Sequence, residues 1–273
     1  MRRIMNLRPG QGGRLILGLI PLLALVLLYL VASSARHAEN PHDKILPTPG
    51  AMAEAVHTMA FTVDPLTGKV PMVEDTVASM RRLLIALAIA TSITLLLGMV
   101  LGLLPGFRAG FGPLIAGIAV IPPIAVLPIL FIAMGLGETS KIAVIAIGVT
   151  PVMVRDLAAH VAAIPEETLV KAQTLGASTW QVALRVGLPL ALPRLIQCVR
   201  LSLGPAFVFL ISAEAIAADV GLGYRIFLVR RYLSMDIILP YVAWISLLAV
   251  MIDLGLLTLS RRAFAWAHPA RTL

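Results

Sequence analysis

The sequence predicts an all-α integral membrane protein with about six transmembrane helices. Of its 273 residues, 59% are hydrophobic and only 13% are charged, whereas soluble domains carry about 25% charged residues. The apolar residues form several runs of roughly 20 residues, which is the length that a helix needs to cross a 30 Å hydrocarbon core. Short polar segments separate these runs, so the bilayer is the expected solvent for most of the chain.

The first apolar run has two interpretations. Residues 1–14 contain four arginines and no acid, and residues 15–31 are uninterrupted apolar sequence. A cleaved signal peptide would have an apolar region of about 7–15 residues and a small-residue cleavage site. This run is longer, and residues 32–35 make a weak site. We therefore predict a cytoplasmic N-terminus over residues 1–14 and a first transmembrane helix over residues 15–35.

Residues 36–74 are polar and contain prolines, which predicts an extracytoplasmic segment. Within it, residues 50–59 place Met52, Ala55, Val56 and Met59 on one side of a helix. That pattern is typical of a short helix lying along the membrane interface. A linker with one helical turn is the alternative.

A core of five helices is predicted over residues 75–260, followed by a cytoplasmic C-terminus over residues 261–273. We expect spans over residues 75–104, 111–134, 141–154, 190–216 and 237–259, a tight inner turn at residues 105–108 and an outer loop at residues 219–236. The third of the six spans contains Pro122, Pro123 and Pro128. Because prolines free backbone carbonyls that need a partner, we expect this span in the interior of the bundle.

The distribution of charge agrees with this topology. Of the 22 Lys and Arg residues, 13 fall on segments predicted to be inside and nine on segments predicted to be outside. The direction fits the positive-inside rule, although Arg81, Arg82, Arg230 and Arg231 lie on the outer side. The net charge of +8 then indicates contact with anionic lipid. With 5% aromatic residues, the chain is not expected to bind nucleic acid.

Residues 164–193 form the longest polar stretch in the second half of the chain. Glu166 and Glu167 follow Pro165, an order typical of the first turn of a helix. Gly176 should end that helix, and Ser178 is a candidate N-cap for a second one. A pair of short, mixed-charge helices between two membrane spans suggests a docking surface for a soluble protein.

The spacing of this stretch resembles the EAA loop of ABC-importer permeases. The order Gly176-Ala177, Leu188-Pro189 and Pro193 matches the pattern, and the acidic first position of the motif is Val170 here, with Glu166 or Glu167 as a candidate replacement one turn earlier. In that family the loop, here residues 164–189, is the coupling helix that contacts a cytoplasmic ATPase. The resemblance implies these contact residues: Val170, Lys171, Ala172, Gly176, Ala177, Leu188, Pro189 and Pro193.

Beyond the loop, the similarity extends from about residue 46 to residue 266. The order Asp75-Thr76, Pro122-Pro123 and the Gly-Leu-Gly segments at 135–137 and 221–223 resembles the nitrate/sulfonate/taurine branch of MetI-like permeases. It implies the type I importer fold, a homodimer, a cytoplasmic ATPase that binds ATP and Mg²⁺, and an extracytoplasmic solute-binding protein. It also implies the bacterial inner membrane, cytoplasmic termini, and a small, anionic solute such as a sulfonate, taurine or nitrate.

The sequence contains no motif for chemistry of its own. There is no GxxxxGK[ST] loop, no HExxH and no GxSxG, which are motifs for phosphate binding, zinc proteolysis and acyl transfer. The five His residues are scattered, and the single Cys198 excludes an internal disulfide. We therefore expect neither an enzyme nor a metal site, and no cofactor held by this chain.

Three charged residues lie in predicted spans and are tentative pathway residues. Carboxylates at membrane depth are costly and are functional by default. Glu214 is either a gate or a helix-packing hydrogen-bond partner, and Asp253 either pairs with an arginine or faces a second subunit. Arg200 either extends to the inner interface or lines an anion pathway. Separately, the Gly98-x-x-x-Gly102 pattern permits close helix approach.

Two other functions compete with that of a permease in an ATP-driven importer. A secondary ion-coupled transporter would need paired ionisable residues at mid-span and related halves. A membrane enzyme would need His, Asp and Glu residues clustered at one depth. The sequence shows neither pattern.

Overall fold

The computed structural model describes residues 10–40, 43–65 and 68–267, and all the regular elements in these ranges are helices. By length and composition, five helical stretches can cross a membrane, and the number is six if a bent pair of shorter helices counts as one span. The predicted all-α membrane class is therefore confirmed. The helices are α1 (Gln11–Glu39), α2 (Pro49–Phe61), α3 (Pro71–Leu103), α4 (Pro105–Ile118), α5 (Pro123–Met134), α6 (Glu138–Ala162), α7 (Glu166–Thr174), α8 (Thr179–Val182), α9 (Leu188–Ala217), α10 (Leu222–Arg230) and α11 (Met235–Ala263).

The chain forms two compact units. The first contains the described residues up to Thr62 together with Val229–Pro240, and the second contains Val63–Leu228 together with the chain from Tyr241 onward. In the first unit, Tyr29 Oη donates a 2.7 Å hydrogen bond to the carbonyl of Pro47. Thr48 caps α2 by accepting a 3.2 Å bond from Ala51 N. The predicted short helix after the first span is thus present, and it runs from Pro49 to Phe61.

The core of the second unit is built from α3, α6 and α9. Gly98 and Gly102 of α3 allow α6 to approach closely. A Cβ atom on Gly98 would lie 2.8 Å from Leu157 Cδ2, and one on Gly102 would lie 2.5 Å from Val161 Cβ. Both distances are shorter than a van der Waals contact, so any side chain at these positions would separate the helices. The GxxxG interpretation is confirmed.

The third span is bent more sharply than predicted, and the expectation of a tight turn before it was wrong. α4 and α5 meet at 91°, and Pro105 starts α4 where a tight turn was expected. Proline suits the first turn of a helix, where its missing N–H is not needed. The span was expected in the interior of the bundle. Within the described chain α4 has no buried residue, whereas α5, which carries Pro123 and Pro128, buries Leu127 and Phe131. At the bend, the carbonyl of Ile118, four residues before Pro122, accepts a 3.1 Å bond from Ile121 N.

The fifth span begins earlier than predicted. α8 continues through a π-helical turn, Ala183–Gly187, into α9, and this apolar stretch extends from Thr179 to Ala217. Pro189 was expected to end the loop. Proline has no N–H to donate to the preceding turn, and the π-helical turn ends at Gly187, just before Pro189 in the continuous helix. The predicted outer loop over residues 219–236 also contains a helix, α10.

Candidate coupling surface and buried ion-pair network

The polar stretch after α6 folds into the two short helices that the sequence predicted. Glu166 and Glu167 occupy the first turn of α7. Gly176 separates the helices with a φ of +82°, a conformation that glycine adopts without steric cost. Ser178 caps α8 with a reciprocal pair of bonds: its Oγ accepts from Gln181 N at 3.3 Å, and its own N–H donates to Gln181 Oε1 at 2.8 Å.

This helix pair exposes large apolar side chains. The exposed fraction is 52% for Val170, 89% for Leu175 and 71% for Trp180, and α7 buries no residue. α7 lies outside the candidate membrane spans, and Trp180 lies at the start of the span Thr179–Ala217. A cluster of exposed apolar side chains is typical of a surface that contacts another protein or the membrane.

The residues of the loop motif lie on two helices and on the turn that follows the first. Val170, Lys171 and Ala172 lie on α7, and Gly176 and Ala177 lie in the turn that follows it. Leu188, Pro189 and Pro193 instead belong to the first turns of α9. We call the exposed helix pair α7–α8 the coupling surface, and we call the end of the second unit that carries it the coupling end.

Glu214 lies at the far end of α9 and is completely buried. Its carboxylate accepts hydrogen bonds from three groups on two helices: from Ser79 Oγ at 2.7 Å and Arg82 Nη1 at 2.7 Å on α3, and from the backbone N–H of Gly223 on α10 at 2.8 Å. Glu214 was interpreted either as a gate or as a helix-packing hydrogen-bond partner, and these contacts are those of a packing partner. The partners are charged as well as polar, which the sequence did not indicate.

Arg82 connects Glu214 to α6. Its Nε and Nη2 donate to the two carboxylate oxygens of Glu138 at 2.6 and 2.8 Å, and its Nη1 also bonds the carbonyl of Val220 at 2.8 Å. Only 5% of Arg82 is exposed. From the sequence, Arg82 was only an exception to the charge bias. The spacing of Asp75, Ser79 and Arg82, four and three residues apart, puts all three on one face of a helix, and that pattern would have revealed the cluster.

Asp75 makes the second half of the arrangement and is also fully buried. It accepts bonds from Gly221 N at 3.0 Å, Arg225 Nε at 2.8 Å and Tyr241 Oη at 3.1 Å. We call the side chains of Asp75, Ser79, Arg82, Glu138, Glu214, Arg225 and Tyr241 the buried network. The backbone N–H groups of residues 221–223 link its two halves, and its outermost member, the Glu138 side chain, is 55% exposed. The network ties α3, α6, α9, α10 and α11 together at the end opposite the coupling surface.

The Gly-Leu-Gly segment at 221–223 is held between the two carboxylates. Gly221 has a φ of +142°, and a Cβ atom there would lie 2.6 Å from Glu214 Cδ. A Cβ atom on Gly223 would lie 2.7 Å from the carbonyl oxygen of Ile211. Both positions therefore require glycine, because any side chain would displace the segment from the buried network.

Nearer the coupling end, the other two charged candidates pair with each other. Arg200 donates to both carboxylate oxygens of Asp253 through Nε and Nη2, each at 2.8 Å. Asp253 thus pairs with an arginine, which was one of its two interpretations. Asp156 accepts from Arg194 Nη2 at 2.5 Å and from Cys198 Sγ at 3.0 Å. Within the described ranges, no three His, Cys, Asp or Glu side chains gather as metal ligands.

Comparison with known proteins identifies the family. The model for the "binding-protein-dependent transport system inner membrane component" matches residues 94–270. The chain belongs to this family. It is an ABC-importer permease, the integral inner-membrane component of a transporter rather than an enzyme. The matched region includes the coupling surface, Glu214 and Asp253, whereas Asp75 and Arg82 lie before it.

Individual relatives agree with this assignment. The permease is 34% identical over 189 residues to the taurine transport system permease protein TauC of Escherichia coli, a match that covers 69% of each chain. It is 29% identical to the putative aliphatic sulfonates transport permease protein SsuC of the same organism, over 55% of this chain and 57% of that one. These matches place the permease in the nitrate/sulfonate/taurine branch.

A solved structure shows the same fold. The MetNI methionine ABC transporter in an inward-facing conformation contains a chain that aligns with a TM-score of 0.62 at 19% identity, covering 69% of this permease and 94% of that chain. This likeness confirms the predicted type I importer fold. No finding favours the secondary transporter that the sequence left as an alternative.

Proposed function

We propose that two copies of this permease form the translocation pathway of an importer and that the coupling surface docks onto a cytoplasmic ATPase. The observation that carries the proposal is the exposure of Val170, Leu175 and Trp180 on the short helices and the turn that connect α6 to α9. ATP and Mg²⁺ would bind to the ATPase, and an extracytoplasmic binding protein would deliver the solute. Both termini of the permease would then lie in the cytoplasm.

The continuity of the helices supports a mechanical role for this surface. α8 passes through the π-helical turn into α9, and α9 ends three residues beyond Glu214 of the buried network. A helix rises about 1.5 Å per residue, so the 30 residues of α9 span about 45 Å. Closure of the ATPases would move α8, and α9 would carry that movement towards the opposite end. Nucleotide then shifts a population between inward-open and outward-open states.

Substitution of one exposed residue tests the docking. Leu175→Asp places a charge on the coupling surface without disturbing the core, because Leu175 is 89% exposed. We expect binding of the permease to the purified ATPase of its own system to fall at least about tenfold, since one charge in a docking core costs several times thermal energy, and ATP-dependent uptake to fall with it.

Leu136→Asp is the matched control. Leu136 is 63% exposed in the turn between α5 and α6, at the end opposite the coupling surface, so its substitution should leave ATPase binding unchanged. Unchanged ATPase binding and uptake in Leu175→Asp would contradict the proposed docking site.

Cysteine labelling tests the orientation. The native Cys198 is buried, so a single introduced cysteine dominates labelling by a membrane-impermeant maleimide. We expect Thr174→Cys to react only after the membrane is permeabilised and Leu136→Cys to react in intact spheroplasts. The opposite labelling pattern would show that the topology is inverted. The coupling surface would then face away from the cytoplasm, where an ATPase could not reach it.

For the solute, we propose a small anion of the sulfonate, taurine or nitrate type. The support comes from relatives, because TauC is named for taurine and SsuC for aliphatic sulfonates. A third relative, the riboflavin transport system permease protein RibX of Chloroflexus aurantiacus, is 32% identical over 56% of this chain. Deletion of this gene should abolish growth on at least one of three sources: taurine or an alkanesulfonate as the sole sulfur source, or nitrate as the sole nitrogen source. Normal growth on all three, with loss of riboflavin uptake, would refute the anionic solute.

A further inference from the structure

A cavity of about 530 Å³ with a mixed polar and apolar lining opens at the coupling end of the second unit. It lies between the end of α6, the first turns of α9, the end of α11 and the 3₁₀ turn Ala265–Ala267. The side chains that give it its character are His160, Pro193, Arg194, Gln197, Arg200 and Trp266. The volume is large enough for a small oxyanion with its attached organic group.

The arginines of the cavity come from one face of α9. Pro193, Gln197 and Arg200 are separated by four and three residues, which brings them to the same side of the helix. Arg194 is the neighbour of Pro193 and lies one turn before Gln197. Two guanidinium groups and one amide therefore face a common space.

Each guanidinium is held in place from behind by a carboxylate. Arg200 uses Nε and Nη2 for Asp253, and among the described residues its Nη1 has no hydrogen-bond partner. Arg194 uses Nη2 for Asp156, and its Nη1 makes a contact of 3.2 Å with Gln197 Oε1. A planar group fixed in this way loses little freedom when it binds an anion, so its remaining N–H groups are preorganised donors.

The surroundings favour negative charge. Arg261 and Arg262 follow Ser260, which lines the cavity at the end of α11. The helix ends around the cavity therefore carry more arginines than aspartates. Trp266 is 57% exposed and supplies an apolar wall with an indole N–H. Basic pockets between membrane helices are known to bind phosphate head groups, and arginine pairs well with planar or tetrahedral oxyanions.

We propose that this cavity is an oxyanion-binding site, with Arg194, Gln197 and Arg200 as donors to a phosphate or sulfonate group. The proposal does not depend on the solute or on the ATPase. The oxyanion belongs either to a free anion or to the head group of an anionic phospholipid, and both present the same chemistry to the two arginines.

The test uses the full-length permease in lipid nanodiscs. In phosphatidylcholine nanodiscs, inorganic phosphate is titrated against chloride at constant ionic strength, and binding is followed by calorimetry. In nanodiscs that also contain phosphatidylglycerol, native mass spectrometry counts the phosphatidylglycerol molecules retained on the protein. Phosphate binding indicates a free anion, and phosphatidylglycerol retention alone indicates a lipid; either result supports the site.

Paired substitutions keep the net charge constant. Arg200→Gln with Asp253→Asn removes one donor group and its carboxylate together, and we expect phosphate affinity or lipid retention to fall about tenfold, the effect of losing a charge-assisted hydrogen bond. Arg194→Gln with Asp156→Asn is an independent second variant with the same expectation, should the first fail to fold.

The matched control removes an ion pair in the first unit, Arg36→Gln with Asp43→Asn, and should leave binding unchanged. The proposal is wrong if the cavity variants bind like the native protein. It is equally wrong if the native protein prefers neither phosphate to chloride nor phosphatidylglycerol to phosphatidylcholine.

Discussion

Replacing Glu214 with glutamine would measure how strongly the buried network holds the second unit together. Glutamine keeps the shape of the side chain but removes the charge that faces Arg82. It also turns one acceptor oxygen into an NH₂ donor, which then faces the N–H of Gly223 or the guanidinium. Ser79 can adapt, because its hydroxyl can accept as well as donate.

The expected cost follows from burial. Glu214 is fully buried and Arg82 is 5% exposed. Removal of one partner from a buried ion pair costs about 3–5 kcal/mol. Arg82 keeps its two bonds to Glu138, so it is not left alone, and we expect the lower end of that range, about 3 kcal/mol.

Equilibrium unfolding gives the measurement. The purified permease in dodecyl maltoside is titrated with sodium dodecyl sulfate, and the free energy of unfolding is obtained from the helical signal. Glu74→Gln is the matched control, because it makes the same change in the ion pair between Glu74 and Lys69, whose lysine side chain is 62% exposed. An exposed pair contributes about 0–1 kcal/mol, so the two variants should differ clearly.

A double-mutant cycle with Arg82→Gln checks the cause. Arg82→Gln alone leaves both Glu214 and Glu138 without their guanidinium, so we expect it to be the most destabilising single change. The double variant with Glu214→Gln should lose less free energy of unfolding than the two single variants together, since neither a buried guanidinium nor a buried carboxylate is then left without its partner. Equal effects of Glu214→Gln and Glu74→Gln, or additivity within about 0.5 kcal/mol, would refute the reasoning.

Three smaller predictions use the same titration. Gly102→Ala should destabilise by about 1–3 kcal/mol through overpacking against Val161, whereas Gly117→Ala, which meets no atom within 4 Å, should stabilise by about 0.5–1 kcal/mol; equal effects would contradict the close helix contact. Ser178→Ala should cost about 1 kcal/mol and speed amide hydrogen exchange in α8, and unchanged exchange would argue against the cap. Tyr241→Phe should lower the free energy of unfolding by about 1 kcal/mol through its lost hydrogen bond. An unchanged free energy would show that Tyr241 does not stabilise the buried network.

Local patterns predicted the parts of the structure that local physics controls. Gly176 and Ser178 were assigned correctly because a left-handed turn and a helix cap each depend on a few neighbouring residues. Gly98 and Gly102 were assigned correctly because four-residue spacing places them on one face. Composition and length were enough to predict the spans, but the residues at which they begin and end were predicted less accurately.

The buried network was not predicted, because its partners are distant in the sequence. Arg82 and Glu214 are 132 residues apart. The spacing of Asp75, Ser79 and Arg82 indicates a polar face on α3, but it does not identify the residue that pairs with Arg82. The length of α3 gives the physical reason for a charge at this position. Its 33 residues span about 50 Å, which exceeds a hydrocarbon core of about 30 Å. Part of α3 must therefore project beyond the membrane core, and a paired arginine is tolerated there.

A single helical stretch joins the coupling surface to the buried network, and that connection constrains how the permease works. The stretch from Thr179 to Ala217 begins with α8 of the coupling surface and contains Glu214 near its other end. A displacement of Trp180 must therefore either be absorbed at the π-helical turn, where backbone bonding is irregular, or be transmitted to the buried network. Glu214 is bonded to two other elements there, so transmitted movement must shift α3 and the Gly-Leu-Gly segment with it or break charged hydrogen bonds. Variants that weaken the network should thus alter transport even though they lie at the end opposite the ATPase.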